Sequence, residues 1–359
     1  MKKLLGLLAL TVTVSGVAAA DQDVLKSINA SSEIRQEWTD KHGTDANEIG
    51  NAGFKKENKG RLRWRNIVSG ELTLVDEWDL NAKFKVQNDQ DKEYSGGKLT
   101  DKRIEEWETN FQLSKPITFG SLETETALGW THKSYRKGTE DISKTTVGQS
   151  NEIYFGPTFN LNVLGQNLST TLQLVYFDSN GDKDADYAYD GKEFERGKTE
   201  GWGINNQFAT SGDILDTSFG KVGYYIELNN KLRDGKGKIA ATGKSAGSSI
   251  YLDYIVGATY TSPSFAGFYG QLNLENEWEK HTAKTGYKNN FSVWTNAGYK
   301  VALDTPVGEV SINPFVKYRP IHRETKKDNS DSELAKYGYK RTTETNELRA
   351  GLAVGLTVK

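Results

Sequence analysis

The stretch GRLRWRNIVSGELTLV, residues 60–75, sets Arg61, Arg63 and Arg65 at every second position. Guanidiniums so spaced share one face of an extended chain, where they can hold anions, pair with carboxylates or set a field along a wall. Lys83 and Lys85 extend the basic group, and Glu106, Glu108, Glu123 and Glu125 form an acidic one. Glu275, Glu277 and Glu279 form another, again with a period of two. Residues suited to nucleophilic or metal chemistry are scattered by comparison. His42, His132, His281 and His322 have no sequence-level partner, and the chain contains no cysteine, which removes thiol catalysis, disulfides and thiolate metal sites. DKDADYAYDGKE, residues 182–193, places acids at the calcium-loop positions one, three, five, nine and twelve, but Tyr187 stands where the tight-turn glycine belongs and no helix flanks it. No enzymatic activity, metal or cofactor is expected; divalent ions bridging this loop to lipopolysaccharide would be a softer use of it.

The elements that must position these charges are long alternating strands. Leu62, Trp64, Val68, Leu72 and Leu74 oppose the arginines, and Trp78, Leu80, Ala82, Phe84 and Val86 alternate with Asp79, Lys83 and Lys85. The same cadence sets Ile34 and Trp38 against Glu33, Arg35 and Glu37, and Leu272, Leu274 and Trp278 against the three glutamates at 275, 277 and 279. It recurs to the last segment, Leu348 to Val358, and predicts fourteen strands. Strands in soluble proteins usually run about 5 to 6 residues, whereas many of these reach the roughly 9 to 11 residues that a tilted membrane strand needs.

Connections alternate as well. Short ones fall at 75–78, 114–121, 164–167, 212–217, 261–267 and 304–308, and long polar ones at about 40–58, 88–102, 134–150, 178–198, 233–248, 280–289 and 320–344. That is the layout of an up-and-down antiparallel meander with both termini on the short-turn side. The opening MKKLLGLLALTVTVSGVAAADQ reads as a secretory signal peptide over residues 1–20, cleaved after Ala20. Residues 21–359 then form one domain, with no linker or low-complexity tract. A net charge of −2 gives no reason to expect nucleic acid, and the mean hydropathy of −0.66 averages away the alternation.

Barrel and sandwich both tolerate a charged face, so the aromatics decide. Trp38, Trp78, Trp107, Trp130, Trp202, Trp278, Tyr176, Tyr260 and Tyr318 lie on the apolar face near strand ends, where interface girdles belong; Trp294 alone among the tryptophans points to the polar side. Arg on a lipid-facing surface costs about 2 to 4 kcal/mol at the bilayer midplane, so Arg61, Arg63 and Arg65 must face inward. The expected fold is therefore all-β, a transmembrane antiparallel barrel of about fourteen strands in the bacterial outer membrane. The expected site is its lumen, lined by basic Arg61, Arg63, Arg65, Lys83 and Lys85 and by acidic Glu106, Glu108, Glu123, Glu125, Glu275, Glu277 and Glu279. Two consequences are weighed: segregated charge walls producing a transverse field, or neighbouring charges pairing to hold the wall together. A water-filled channel for ions and small hydrophilic solutes is the expected function; an adhesin or receptor working through the long loops is the alternative.

The leader MKKLLGLLAL, the segment NKGRLRWRNIVSGELTL and the fourteen-strand cadence resemble the FomA-type major outer-membrane porins of fusobacteria. The resemblance implies a trimeric general-diffusion porin of weak selectivity, in contact with outer-membrane lipid and lipopolysaccharide. One departure from outer-membrane strands in general is the end of the chain, GLAVGLTVK, which closes on Val358 and Lys359 where an aromatic residue usually carries the assembly signal.

Overall fold

The computed structural model describes residues 25–43, 59–95, 98–119, 122–138, 146–163, 166–181, 197–238, 245–282, 286–329, 332–335 and 338–358. The signal peptide, the calcium-loop stretch 182–193 and Lys359 lie outside them. The described residues are nearly all strand. β1 (Leu25–Gly43), β2 (Lys59–Val75), β3 (Leu80–Ser95), β4 (Lys98–Phe119) and β5 (Leu122–Gly138) form the first part of the wall. β6 (Thr146–Val163), β7 (Gln166–Gly181), β8 (Gly197–Thr217), β9 (Gly220–Lys238) and β10 (Ser245–Thr261) continue it. β11 (Phe268–His281), β12 (Tyr287–Tyr299), β13 (Val301–Thr305), β14 (Gly308–Lys327) and β15 (Lys340–Val358) complete it. A 3-10 turn at Asp76–Trp78 joins β2 to β3, and a single helical turn, Ser332–Ala335, lies between β14 and β15.

Each strand pairs antiparallel with its chain neighbours, and β1 pairs with β15, from Ile28 opposite Val358 to Gly43 opposite Thr343. β12 and β13 are two parts of one wall position, broken at Lys300, and both pair with β14. The sheet is thus a closed antiparallel barrel of fourteen positions, as the alternation predicts. Closure removes the unpaired strand edges that an open sheet would present to solvent or lipid. At the seam Ile28 and Val358 are both buried, with Ala30 and Leu356 packed on them.

The barrel is inside-out relative to a water-soluble protein. Trp202, Phe155 and Leu174 are each more than half exposed, while Glu37, Arg63, Asp89, Asp91, Arg233 and Glu347 are buried. Most of the side-chain contacts that pass over an intervening strand join groups of the charged face: Lys83 on β3 to Glu125 on β5, Tyr154 on β6 to Gln112 on β4, and Tyr225 on β9 to Glu275 on β11. Side chains converge on the concave side of a curved sheet, so the charged face points inward. On the convex side Tyr224 reaches Gln166 across Gly212, a glycine leaving the ring room to do so.

Strand boundaries differ from the expected ones at the long connections. β3 and β4 continue through most of 88–102, β5 and β6 through most of 134–150, and β14 and β15 well into 320–344. These stretches are polar on both faces, so hydropathy does not mark them, yet backbone pairing is indifferent to side-chain polarity. The strands therefore run past the band of Trp107, Trp130 and Trp202 on the long-connection side. At the other end, 212–217 is strand and not turn: β8 bulges between Asp213 and Leu215 and reverses after Thr217. There Trp78, Phe219 and Phe265 sit at or beside the turns, Phe219 being 83% exposed and Phe265 81%, which puts an aromatic boundary at the turns themselves.

Candidate functional site

On the inner face of β14, β15, β1, β2 and β3, guanidiniums and carboxylates alternate in one connected chain. Arg319 donates to Glu347 at 2.6 Å, and Glu347 also holds Arg349 at 2.5 Å. Arg349 lies 3.6 Å from Glu37, which pairs with Arg35 at 2.6 Å and Arg61 at 2.5 Å. Arg61 reaches Asp91 at 3.0 Å, Asp91 holds Arg63 at 2.6 Å, and Asp89 holds Arg65 at 2.5 Å. Arg35 also pairs with Glu33. The geometry follows from register: Arg63 stands opposite Asp91 and Arg65 opposite Asp89 across the β2–β3 ladder, so each fork meets a carboxylate at the directly opposed position. Asp91 is 1% exposed in its side chain, and a buried carboxylate without these donors would be strongly unfavourable. Six guanidiniums against five carboxylates leave this ladder close to neutral.

Trp294 does turn inward, as its register predicts. The guanidinium carbons of Arg319 and Arg349 lie 4.8 and 4.4 Å from its ring centroid, a cation–π arrangement that holds both cations against the wall. Lys317 lies 5.2 Å from the Phe315 ring.

The remaining predicted charges correct the picture of separate walls. Lys83 pairs with Glu125 at 2.7 Å and Lys85 with Glu108 at 3.2 Å, with Lys133 at 3.8 Å from the same Glu108. Basic and acidic groups expected to stand apart are therefore joined: Lys83 and Glu125 because strands two positions apart approach on the concave side, and Glu108 with Lys85 and Lys133 across directly neighbouring strands. Glu106 stands opposite Asp89 in the register, and the Glu123 side chain lies outside the described residues. On β11 the pairing is different. Glu275 accepts from the Tyr225 hydroxyl at 2.6 Å and Glu277 from the Asn290 amide at 2.7 Å, both neutral donors. Only Glu279 faces a cation, Lys288 at 3.3 Å. The transverse separation of charge shrinks to a nearly balanced ladder on one side and two carboxylates held by neutral donors on the other.

Between these sectors aromatic side chains lie over glycines. A Cβ on Gly129 would fall inside the Tyr154 ring, one on Gly257 inside Tyr225, and one on Gly298 against Tyr269. Each hydroxyl then reaches a second strand: Gln112, Glu275 and Asn313 respectively. Phe177 on β7 is buried over Gly235, and Arg233 passes over Gly203 to Glu152 at 3.2 Å, with its guanidinium 5.8 Å from the Phe177 ring. These rings are held against the wall.

Asp89, Asp91 and Arg233 belong to the inner face but fall in stretches expected to be loops. The alternation of Asp89, Asp91 and Glu93 was the available signal. Val175 and Phe177 also point inward, an apolar pair that binary patterning assigns outward. Among the described histidines, His132 contacts Asn151 at 2.8 Å, and no cluster of three metal-ligating groups occurs among the described residues.

No family model and no curated protein matches the chain. Solved structures similar to it include a FadL homologue from Pseudomonas aeruginosa, at 9% identity, covering 95% of this chain and 93% of that one with a TM-score of 0.44. OccAB1 from Acinetobacter baumannii aligns at 11% identity over 94% of this chain and 100% of that one, TM-score 0.35. A BenF-like porin from Pseudomonas fluorescens aligns at 10% identity over 93% and 100%, TM-score 0.33.

Proposed function

We propose that this chain is a channel of the bacterial outer membrane, a water-filled pore for passive diffusion of ions and small hydrophilic solutes. One observation carries the reading: a closed wall with a mainly apolar, aromatic-edged exterior and an ionised interior. Such a surface is stable only with lipid outside and polar contents inside, since an arginine turned to lipid costs about 2 to 4 kcal/mol. Eight strands leave room for packed side chains only, and sixteen to eighteen leave an aqueous channel. Fourteen positions, with aromatic rings folded onto the wall, fit the open end of that range. The channel needs no catalytic group or cofactor, and a trimeric assembly follows the resemblance to fusobacterial porins.

Planar-bilayer recording of the folded protein tests this. Discrete conductance steps that scale with salt are expected, absent from a heat-denatured control; a silent bilayer from folded protein overturns the proposal. The adhesin alternative draws on connections such as 178–198 and 320–344. Deleting residues 182–193 and 329–337 is expected to leave the conductance steps in place, whereas loss of cell binding with intact conductance would establish an adhesive role beside the pore.

A further inference from the structure

Toward the short-turn end, the inner wall from β6 to β9 carries a cavity of about 440 Å³ whose lining is unlike both the arginine ladder and the carboxylates of β11. Its side chains can be placed strand by strand. Glu125 pairs with Lys83 on the inner face, and Thr158 of β6 stands opposite Glu125. The Thr158 hydroxyl meets that of Thr171 on β7 at 2.9 Å, so Asn160 and Asn162 on β6 and Asn167 and Ser169 on β7 turn inward by alternation. Asn205 on β8 accepts from the inward Arg233 at 2.6 Å, which turns Ala209 and Ser211 the same way. Tyr225 on β9, laid over Gly257, completes the lining with Glu227.

Register sets these side chains in two rows. Asn160, Ser169, Ala209 and Glu227 stand side by side across four strands, and Asn162, Asn167, Ser211 and Tyr225 do so two residues along. With strands about 4.8 Å apart and about 3.3 Å per residue, the rows span roughly 14 Å around the wall and lie about 7 Å apart. Ser169, Ala209 and Ser211 make a low floor, the asparagines of β6 and β7 one bank, and Tyr225 and Glu227 the other. The concavity is therefore written into side-chain size.

Asn160, Asn162, Asn167 and Ser211 are exposed. An asparagine amide offers donors and an acceptor on one side chain, and a serine hydroxyl does both with one atom, which is what each hydroxyl of a sugar requires of a partner. The Tyr225 ring rests one face over Gly257, with its hydroxyl fixed by Glu275 at 2.6 Å and Asn273 at 3.2 Å. Its other face is thus held toward the axis, where the C–H face of a pyranose can pack against an aromatic body. Small ions gain less from this lining, which contains a single carboxylate, Glu227, and no cation.

We infer that this cavity is a binding site for a neutral saccharide on the solute path, with the amides of Asn160, Asn162 and Asn167 on the sugar hydroxyls and the Tyr225 ring on the sugar's apolar face. The inference rests on the proposed channel and names a solute class for it. A site on a diffusion path must release what it binds, so a dissociation constant of about millimolar order is expected.

The probe is maltose, added to the full-length protein folded in an amine-oxide detergent that carries no sugar of its own, and binding is read by saturation-transfer NMR. Wild type is expected to transfer saturation to the maltose ring protons. In N160A/N167A the dissociation constant is expected to rise roughly tenfold, as the loss of two hydrogen bonds predicts. Ala209→Leu fills the floor without altering an amide and is expected to abolish the signal. Gln87→Ala, which removes an inward amide on β3 away from the cavity, is expected to match wild type. All are compared as folded protein, judged by β-sheet circular dichroism. No transfer from wild type, unchanged binding in either cavity variant, or an equal signal for triethylene glycol, which is neutral but lacks the array of hydroxyls, overturns the site. Conductance steps in sugar-free salt report on the channel separately: a protein that binds maltose but does not conduct overturns the pore and leaves the site standing, and one that conducts without binding overturns the site alone.

Discussion

The inner wall is built in two ways. From β14 through β1 to β3 it is a lattice of forks and carboxylates in which nearly every charge is answered on the next strand. From β5 to β12 it is largely tyrosine and phenylalanine laid over glycine, with carboxylates such as Glu275 and Glu277 held by neutral donors. The first sector gains rigidity from paired charges, each of which would be costly alone. The second keeps bulky rings close to the wall by removing Cβ atoms beneath them, and two of its carboxylates take their hydrogen bonds from neutral donors. Paired charge and carboxylates held by neutral donors thus lie on different arcs of one barrel.

The sharpest way to break this contrast is Asp91→Asn. Asp91 answers both Arg61 and Arg63 with almost no water at its carboxylate. Removing one partner of a buried pair typically costs about 3 to 5 kcal/mol, and that loss is expected in urea unfolding of the vesicle-inserted protein followed by tryptophan fluorescence. A loss below about 1 kcal/mol would show that water screens the ladder as it screens a surface.

The glycine-backed sector is tested by Gly129→Val. The new side chain occupies the space of the Tyr154 ring, so the ring must swing toward the axis and release Gln112. Overpacking of this kind costs about 1 to 3 kcal/mol, and single-channel conductance is expected to fall. The double variant with Tyr154→Ala should recover conductance; unchanged conductance in the single variant would mean the ring never bordered the solute path.

How much of this was legible beforehand follows from where the alternation of polarity persists. Arg61, Arg63 and Arg65 could be turned inward from the transfer cost of arginine alone, because Leu62, Trp64 and Val68 pin the register. Asp89, Asp91 and Arg233 could not, because above the aromatic band both faces are polar and a strand looks like a loop. The pairing of Lys83 with Glu125 was hidden for a different reason: it passes over β4 and depends on the inward curvature of the wall, which no single strand reveals. Tyr154 and Phe177 were missed because the signal lies in small residues on the neighbouring strands, Gly129 for one and Gly201 and Gly235 for the other.

Selectivity should follow the second sector. Glu275→Gln with Glu277→Gln removes two negative charges whose hydrogen-bond donors are neutral, and glutamine keeps an acceptor for Tyr225 and Asn290. The expected result is a reversal potential displaced toward anions in a salt gradient, with a stability change of about 1 kcal/mol or less. An unmoved potential would mean that the solute path is governed by the arginine ladder or lies away from β11.

The smallest effect expected is that of Lys83 with Glu125, and it sharpens the comparison because the chemistry matches the ladder while the setting does not. Both side chains remain about a third exposed, 39% and 32%, against 10% and 1% for Arg63 and Asp91. Half-solvated pairs contribute about 0 to 1 kcal/mol and weaken with salt. A double-mutant cycle of Lys83→Met and Glu125→Gln should therefore return a coupling near that lower range that vanishes in high salt, whereas the coupling of Arg63 with Asp91 should survive. Similar couplings for the two pairs would place the cause in barrel curvature and not in burial, since both lie on the same concave face and differ mainly in how much water reaches them.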